Sequence, residues 1–152
     1  LGGYNQARAY GVIAERWVPL AELLTKTTWE TSSHRVNAYY AQAWHTVWIG
    51  EPLFGSRIEA WANGPVVPDL YGEHRGQYTV ATWPGDPAQL SEQQRAVIDA
   101  VLGFYGQHEG QWLSELTHAE APWLNARVGL SARERGSRPI TPEALAAYYG
   151  SL

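Results

Sequence analysis

A chain of 152 residues with 45% hydrophobic and 17% charged residues is long enough for one globular domain burying roughly 68–70% of its unfolded surface, and too apolar for intrinsic disorder. It has no cysteine, which excludes disulfides, thiol catalysis and thiolate metal sites. Ten Arg and a single Lys (Lys26) within a net charge of −4 make a general nucleic-acid binder a poor prospect.

In chain order, Asn5 is placed to cap a first helix carrying Tyr10, Ile13, Ala14 and Trp17 at helical spacing. Pro19 ends or kinks it and can open a further turn bearing Leu20, Leu23 and Leu24. Thr25 to Ser33 is polar and reads as a loop, and Ser33 then caps the clearest helix. Its apolar stripe is Val36, Tyr40, Ala43, Trp44 and Val47, and Gly50 followed by Pro52 stops it. Ile58 to Asn63 is ambiguous between a short strand and a helical turn, and Gly64-Pro65 breaks it. Pro68 opens a short helix through Leu70 and Tyr71 that ends by Gly76. Tyr78 to Trp83 alternates weakly, as an extended segment would, before the turn Pro84-Gly85-Asp86-Pro87.

Ser91 and Gln94 have capping-box spacing ahead of Val97, Ile98, Val101, Leu102 and Tyr105, with Gly106 as the stop. Trp112, Leu113 and Leu116 form a two-turn helix, and Thr117 with Glu120 again has capping-box spacing, with Pro122 early in the next helix. The last helix has the firmest start: a Thr141 cap, Pro142 in first position and an Ile140–Leu145 staple. The fold expected over residues 1–152 is one domain, mainly all-α: a compact bundle of six or seven short helices with at most one small β-hairpin or extended segment.

Chemistry finds little support in these residues. His45, His118 and Glu120 are a conceivable metal set, but no pair of His lies four apart on a helix with Glu between, so no metal and no cofactor are expected. Glu120 as a cap and His118 bonded to backbone are the plainer readings. No Gly-x-Ser-x-Gly elbow and no phosphate loop occur. Glu59 beside Trp61 is a carboxylate among aromatics, where a raised pKa can arise, but a lone acid is no mechanism, so no catalytic residues are assigned and the chain is not expected to be an enzyme. Arg127, Arg133, Arg135 and Arg138, diluted by Glu134, read as a solvated loop. No apolar run reaches the roughly 20 residues that span a bilayer and no charged-then-apolar leader is present; a cytoplasmic chain with no membrane partner is the expectation. Eight Trp and nine Tyr against two Phe suit both a core and a protein interface.

Three segments together resemble a known family. The first is Tyr39-Tyr40-Ala41-Gln42-Ala43-Trp44-His45, continuing through Gly50-Glu51-Pro52-Leu53-Phe54. The second runs Ile58-Glu59-Ala60-Trp61-Ala62-Asn63-Gly64-Pro65-Val66-Val67-Pro68-Asp69-Leu70-Tyr71. The third is Leu116-Thr117-His118-Ala119-Glu120-Ala121-Pro122-Trp123 with Ala126-Arg127. In this order they resemble the Panacea, or SocA-like, antitoxin domain of prophages and mobile elements, from about Tyr39 to Arg127. The Lys-Leu-Gln-Lys-Leu-type run usual before the tyrosines is replaced by Ser33-His34-Arg35-Val36-Asn37-Ala38.

The resemblance implies a toxin–antitoxin system: an antitoxin that binds a cognate protein toxin encoded by an adjacent gene. The alternative it implies is an adaptor that hands its client toxin to a protease; an enzyme or metal protein of unassigned chemistry is the third reading. It implies no catalytic residues. The expected toxin-binding residues are Glu59, Trp61, Pro65, Val66, Val67, Pro68, Asp69, Tyr71, His118 and Trp123. The physical reason centres on Pro65 to Pro68, where two prolines fix the backbone. Val66 and Val67 adjoin, so one of them is expected at the surface as part of an apolar ridge. Asp69 and Glu73 beyond it would steer a basic partner.

Overall fold

The computed structural model describes residues 31–74 and 90–152, with side chains from Val36 to Gly72 and from Leu90 onward. The helix expected from Asn5, the turn after Pro19, the extended Tyr78–Trp83 segment and its adjoining turn lie outside the described residues, as does the side chain of Glu73. Six helices and three short strands are described: α1 (Thr31–Ile49), β1 (Ile58–Trp61), β2 (Gly64–Val66), α2 (Pro68–His74), α3 (Glu92–Tyr105), α4 (Gly110–His118), α5 (Ala121–Ala126), β3 (Pro139–Ile140) and α6 (Pro142–Tyr149). The architecture is mostly helical with a small hairpin, as the periodicities implied.

α1 is the axis of the core. It packs against α2, α3, α4, α6 and β2, and every residue from Val36 to Ala43 is buried. The single stripe expected of it is therefore too narrow, because a helix enclosed by several neighbours buries all its faces. Thr31 to Ser33 also belongs to the helix rather than to a loop, so Ser33 is not its cap.

Enclosure forces the polar residues of α1 to find partners. Gln42 accepts from the backbone N–H groups of Leu53 (2.8 Å) and Phe54 (3.2 Å), and its amide donates to Phe54 O (2.9 Å). Thr46 donates to Gln42 O, and His45 Nδ1 donates to Glu51 O, both at 2.7 Å. The chain leaving α1 is thereby folded back along it, delivering β1. Replacing Gln42 by Leu keeps the bulk and strands three buried backbone groups, so a loss of about 2–3 kcal/mol is expected. Thermal unfolding measures it.

β1 resolves the ambiguity at Ile58–Asn63 as strand. It pairs antiparallel with β2, Trp61 opposite Gly64, across the two-residue turn Ala62-Asn63. On its other edge it pairs with β3, Ile58 opposite Ile140, giving the strand order β2-β1-β3. β3 was not foreseen, since two residues carry no alternation. Gly64 sits at φ +131° and its Cα lies against α4: an added Cβ would be 3.4 Å from Thr117 Oγ1. Only glycine takes that backbone without strain.

The caps divide. Ser91 and Gln94 form the full reciprocal box, and Thr141 accepts from Ala144 N. Thr117 and Glu120 do not: Thr117 lies inside α4 and donates to Ser114 O (2.7 Å), and Glu120 makes no capping bond.

Candidate functional site

The β1–β2 hairpin carries Trp61 into the centre of an aromatic and cationic cluster. Trp61 Nε1 donates to Glu59 Oε1 (2.8 Å), and Glu59 is ion-paired through its other oxygen with Arg57. The Trp61 ring meets Tyr71 edge-on with centroids 4.9 Å apart. Arg135 lies over the same ring, its Cζ 3.8 Å from the centroid. Trp61 O accepts from Trp123 Nε1 (2.8 Å), and Trp123 stacks on His118 at 4.2 Å. Both indoles are half-buried. His118 Nε2 is buried with no hydrogen-bond partner, against the flat face that Gly64 offers; the backbone bond expected of it is not made there.

The loop bearing Arg135 is held by Arg127. Its guanidinium donates to the carbonyls of Ala60 (2.9 Å), Ser131 (3.0 Å), Glu134 (2.5 Å) and Arg135 (2.9 Å). Arg127 is buried, at 7% exposure, and corrects the reading of this arginine group as a wholly solvated loop. Gly136 closes the arrangement at φ +75°, where a Cβ would come 2.8 Å from Arg127 Nη1.

These elements enclose a groove of about 1000 Å³. One wall is the hairpin, with Pro65 and Val66; another is the face of α4 bearing Gln111, Ser114 and His118; the rim carries Arg133 and Arg135. Of the expected site residues the groove brings together Trp61, Pro65, Val66, Tyr71 and His118. Trp123 stands behind Trp61, and Glu59 lies beneath its indole in the Arg57 pair. Pro68 and Asp69 are at the start of α2, outside the lining.

The apolar ridge needs correcting. Neither valine is exposed: Val66 retains 8% and Val67 none. Val66 ends β2, which is buried along its length, and Val67 lies in the turn into α2, where its carbonyl accepts from Tyr71 N (2.9 Å), so the two are buried by different neighbours. Val67 joins the core and Val66 borders the groove. The groove lining carries Arg133, Arg135 and Glu109, while Asp69 is exposed at the start of α2, outside it. Arg133, Arg135, Gln111 and Ser114 were missed as site residues. One signal was readable: Gln111, Ser114 and His118 recur at i, i+3 and i+7, a polar stripe on one helix face.

A second buried centre lies across α1. Glu120 Oε1 accepts from both Tyr40 and Tyr149 hydroxyls at 2.7 Å. Because the Tyr149 proton is used there, Tyr39 must donate in the 2.9 Å contact between Tyr39 and Tyr149. Tyr40 also stacks on Tyr105 at 3.9 Å, and Tyr105 accepts from Trp44 Nε1. Burial drives the Glu120 carboxyl above its ordinary pKa, partly offset by the two hydroxyl bonds. His45, held on Glu51 O, is pushed down, chiefly by burial. The three residues considered as a metal set are thus engaged separately: His45 with backbone, His118 with Trp123, Glu120 with tyrosines. Among the described residues no helix is long and apolar enough to cross a membrane.

The family profile described as "Antitoxin SocA-like, Panacea domain" matches residues 38–124, more than half of the chain. No curated protein and no solved structure matches it.

Proposed function

Since the chain belongs to the SocA-like antitoxin family with its Panacea domain, we propose that it neutralises a cognate protein toxin by direct binding. The observation that carries this reading is the family match over 38–124, and the groove beside Trp61 supplies a surface to match. It is concave and partly apolar, and its wall at Pro65 is already rigid, so docking there loses little entropy. The chain acts by holding its partner and performs no catalysis. It works in the cytoplasm, where the toxin, encoded by the adjacent gene, is made.

Co-expression tests this. Inducing the adjacent gene alone should arrest growth; inducing it with this chain should restore growth, and the two proteins should co-purify. Failure of both rescue and co-purification overturns the reading. Rescue that disappears in a protease-deficient host, with the toxin persisting, would replace a masking antitoxin by a proteolytic adaptor.

A further inference from the structure

We propose that the groove takes an extended, acidic segment of the partner, with its carboxylates on Arg135 and Arg133. The proposal rests on the protein-binding reading above and adds the chemistry of what is bound.

Charge is the first argument. Arg133 and Arg135 are exposed, and neither forms an ion pair among the described residues. Arg135 is pinned twice: its side chain lies 3.8 Å over Trp61 and its carbonyl accepts from Arg127 at 2.9 Å. A guanidinium held by a ring face keeps N–H donors for a bidentate carboxylate, and its ordering has already been met by the fold. The neighbouring Glu134 does not neutralise it, because its carboxylate turns back to Ser131 N. Among the described residues Glu109, at the start of α4, is the single carboxylate of the lining, against the two arginines.

Shape and polarity are the second. A groove of about 1000 Å³ is at the upper end of ligand-site sizes and admits several residues of extended chain. Asn63 and Gln111 offer amides, and Ser114, whose hydroxyl donates to Asn63 O at 2.7 Å, keeps acceptor capacity. Those groups suit a peptide backbone, and Val66 and Pro65 suit small apolar side chains between the acids. A basic segment would meet two unpaired arginines. Nucleic acid needs a basic surface that tracks many phosphates, and among the described residues the lining offers two arginines only.

The test uses the full chain and three fluorescein-labelled probes at physiological salt: the peptide Ser-Asp-Leu-Asp-Leu-Asp-Ser, its counterpart with Lys for Asp, and a single-stranded thymidine oligonucleotide. Anisotropy should show the acidic peptide binding at least about tenfold more tightly than the lysine peptide, equivalent to about 1.4 kcal/mol. The double variant Arg133→Glu with Arg135→Glu should lose that preference while keeping its circular dichroism, and Ala147→Glu on α6 should retain it. If the double variant misfolds, Arg135→Gln alone should reduce the preference. Equal affinity for the two peptides, no binding of either, preference for the lysine peptide or the oligonucleotide, or an unaffected arginine variant overturns the proposal. Growth rescue separates the two failures. Rescue without acidic-peptide preference removes the groove chemistry alone, whereas preference without rescue removes the antitoxin reading alone.

Discussion

Replacing Arg127 by Ala is expected to lower stability by about 3 kcal/mol, from the loss of several charge-assisted bonds and the exposure of buried carbonyls. For a chain of this size that corresponds to a fall of roughly 6–12 °C in Tm. The guanidinium binds a hub of four carbonyls, and Ala60 at its inner end is buried. Arg127→Lys should lose about half as much, since an ammonium keeps the charge without the planar fork. The expected consequence reaches the groove. Without Arg127 the 131–136 loop is untied from β1, Arg135 leaves the face of Trp61, and trypsin should cut after Arg133 and Arg135 well before the domain unfolds. A variant with unchanged Tm and unchanged trypsin resistance would show the loop to be held by something other than this side chain.

Much of the fold was legible because local signals coincide with the tertiary solution. The Ser91–Gln94 box and the Thr141 cap both occur as spacing implied. What was not legible concerns enclosure. The stripe Val36, Tyr40, Ala43, Trp44 and Val47 marks one buried face, but nothing local tells that Asn37 and Gln42 will be buried too. Gln42 solves its burial by holding Leu53 and Phe54; Asn37 does not, with both amide atoms buried and unbonded. β3 escaped for the same reason: two residues gain strand geometry only by meeting Ile58 and Glu59.

The candidate site was legible in part, for a physical reason that also explains the family resemblance. Residues that carry the resemblance bind one another. Tyr40 holds Glu120, Trp123 holds Trp61 O, Arg127 holds Ala60 O, and Gly64 admits α4. Such residues report the scaffold, which is why Val67 proves to be core. Arg133 and Arg135, which face the groove, lie beyond the matched segment 38–124. The arginine side of the groove is thus supplied outside the matched segment, so the motif alone did not point to it.

Glu120 supplies the sharpest pair of variants. Its carboxylate is buried and is bound by two tyrosine hydroxyls on one oxygen. Glu120→Ala takes away the acceptor of both hydroxyl protons and leaves a new void, and is expected to cost about 2–4 kcal/mol. Glu120→Gln keeps an oxygen that can accept both protons and carries no charge. Burial raises the folded carboxyl above its ordinary 4.5, so the folded state holds its proton more tightly than the unfolded one. That contribution to stability is fully present below pH 4.5 and is lost as pH rises through the folded value. At pH 7 the Gln variant should therefore be at least as stable as the parent, and the parent should overtake or match it on acidification. His45 works in the opposite sense: burial lowers it from 6.5, so its contribution is present above that pH and is lost as pH falls through the folded value. The parent curve superposes the two, but His45 is common to parent and variant and cancels in their difference. Chemical denaturation of both proteins across pH 4–8, a range bracketing the ordinary values of both groups, reads that difference. Should Glu120→Gln lose as much stability at pH 7 as Glu120→Ala, the tyrosines are holding a charged carboxylate that contributes more than its desolvation costs, and the sign assigned to this centre is reversed.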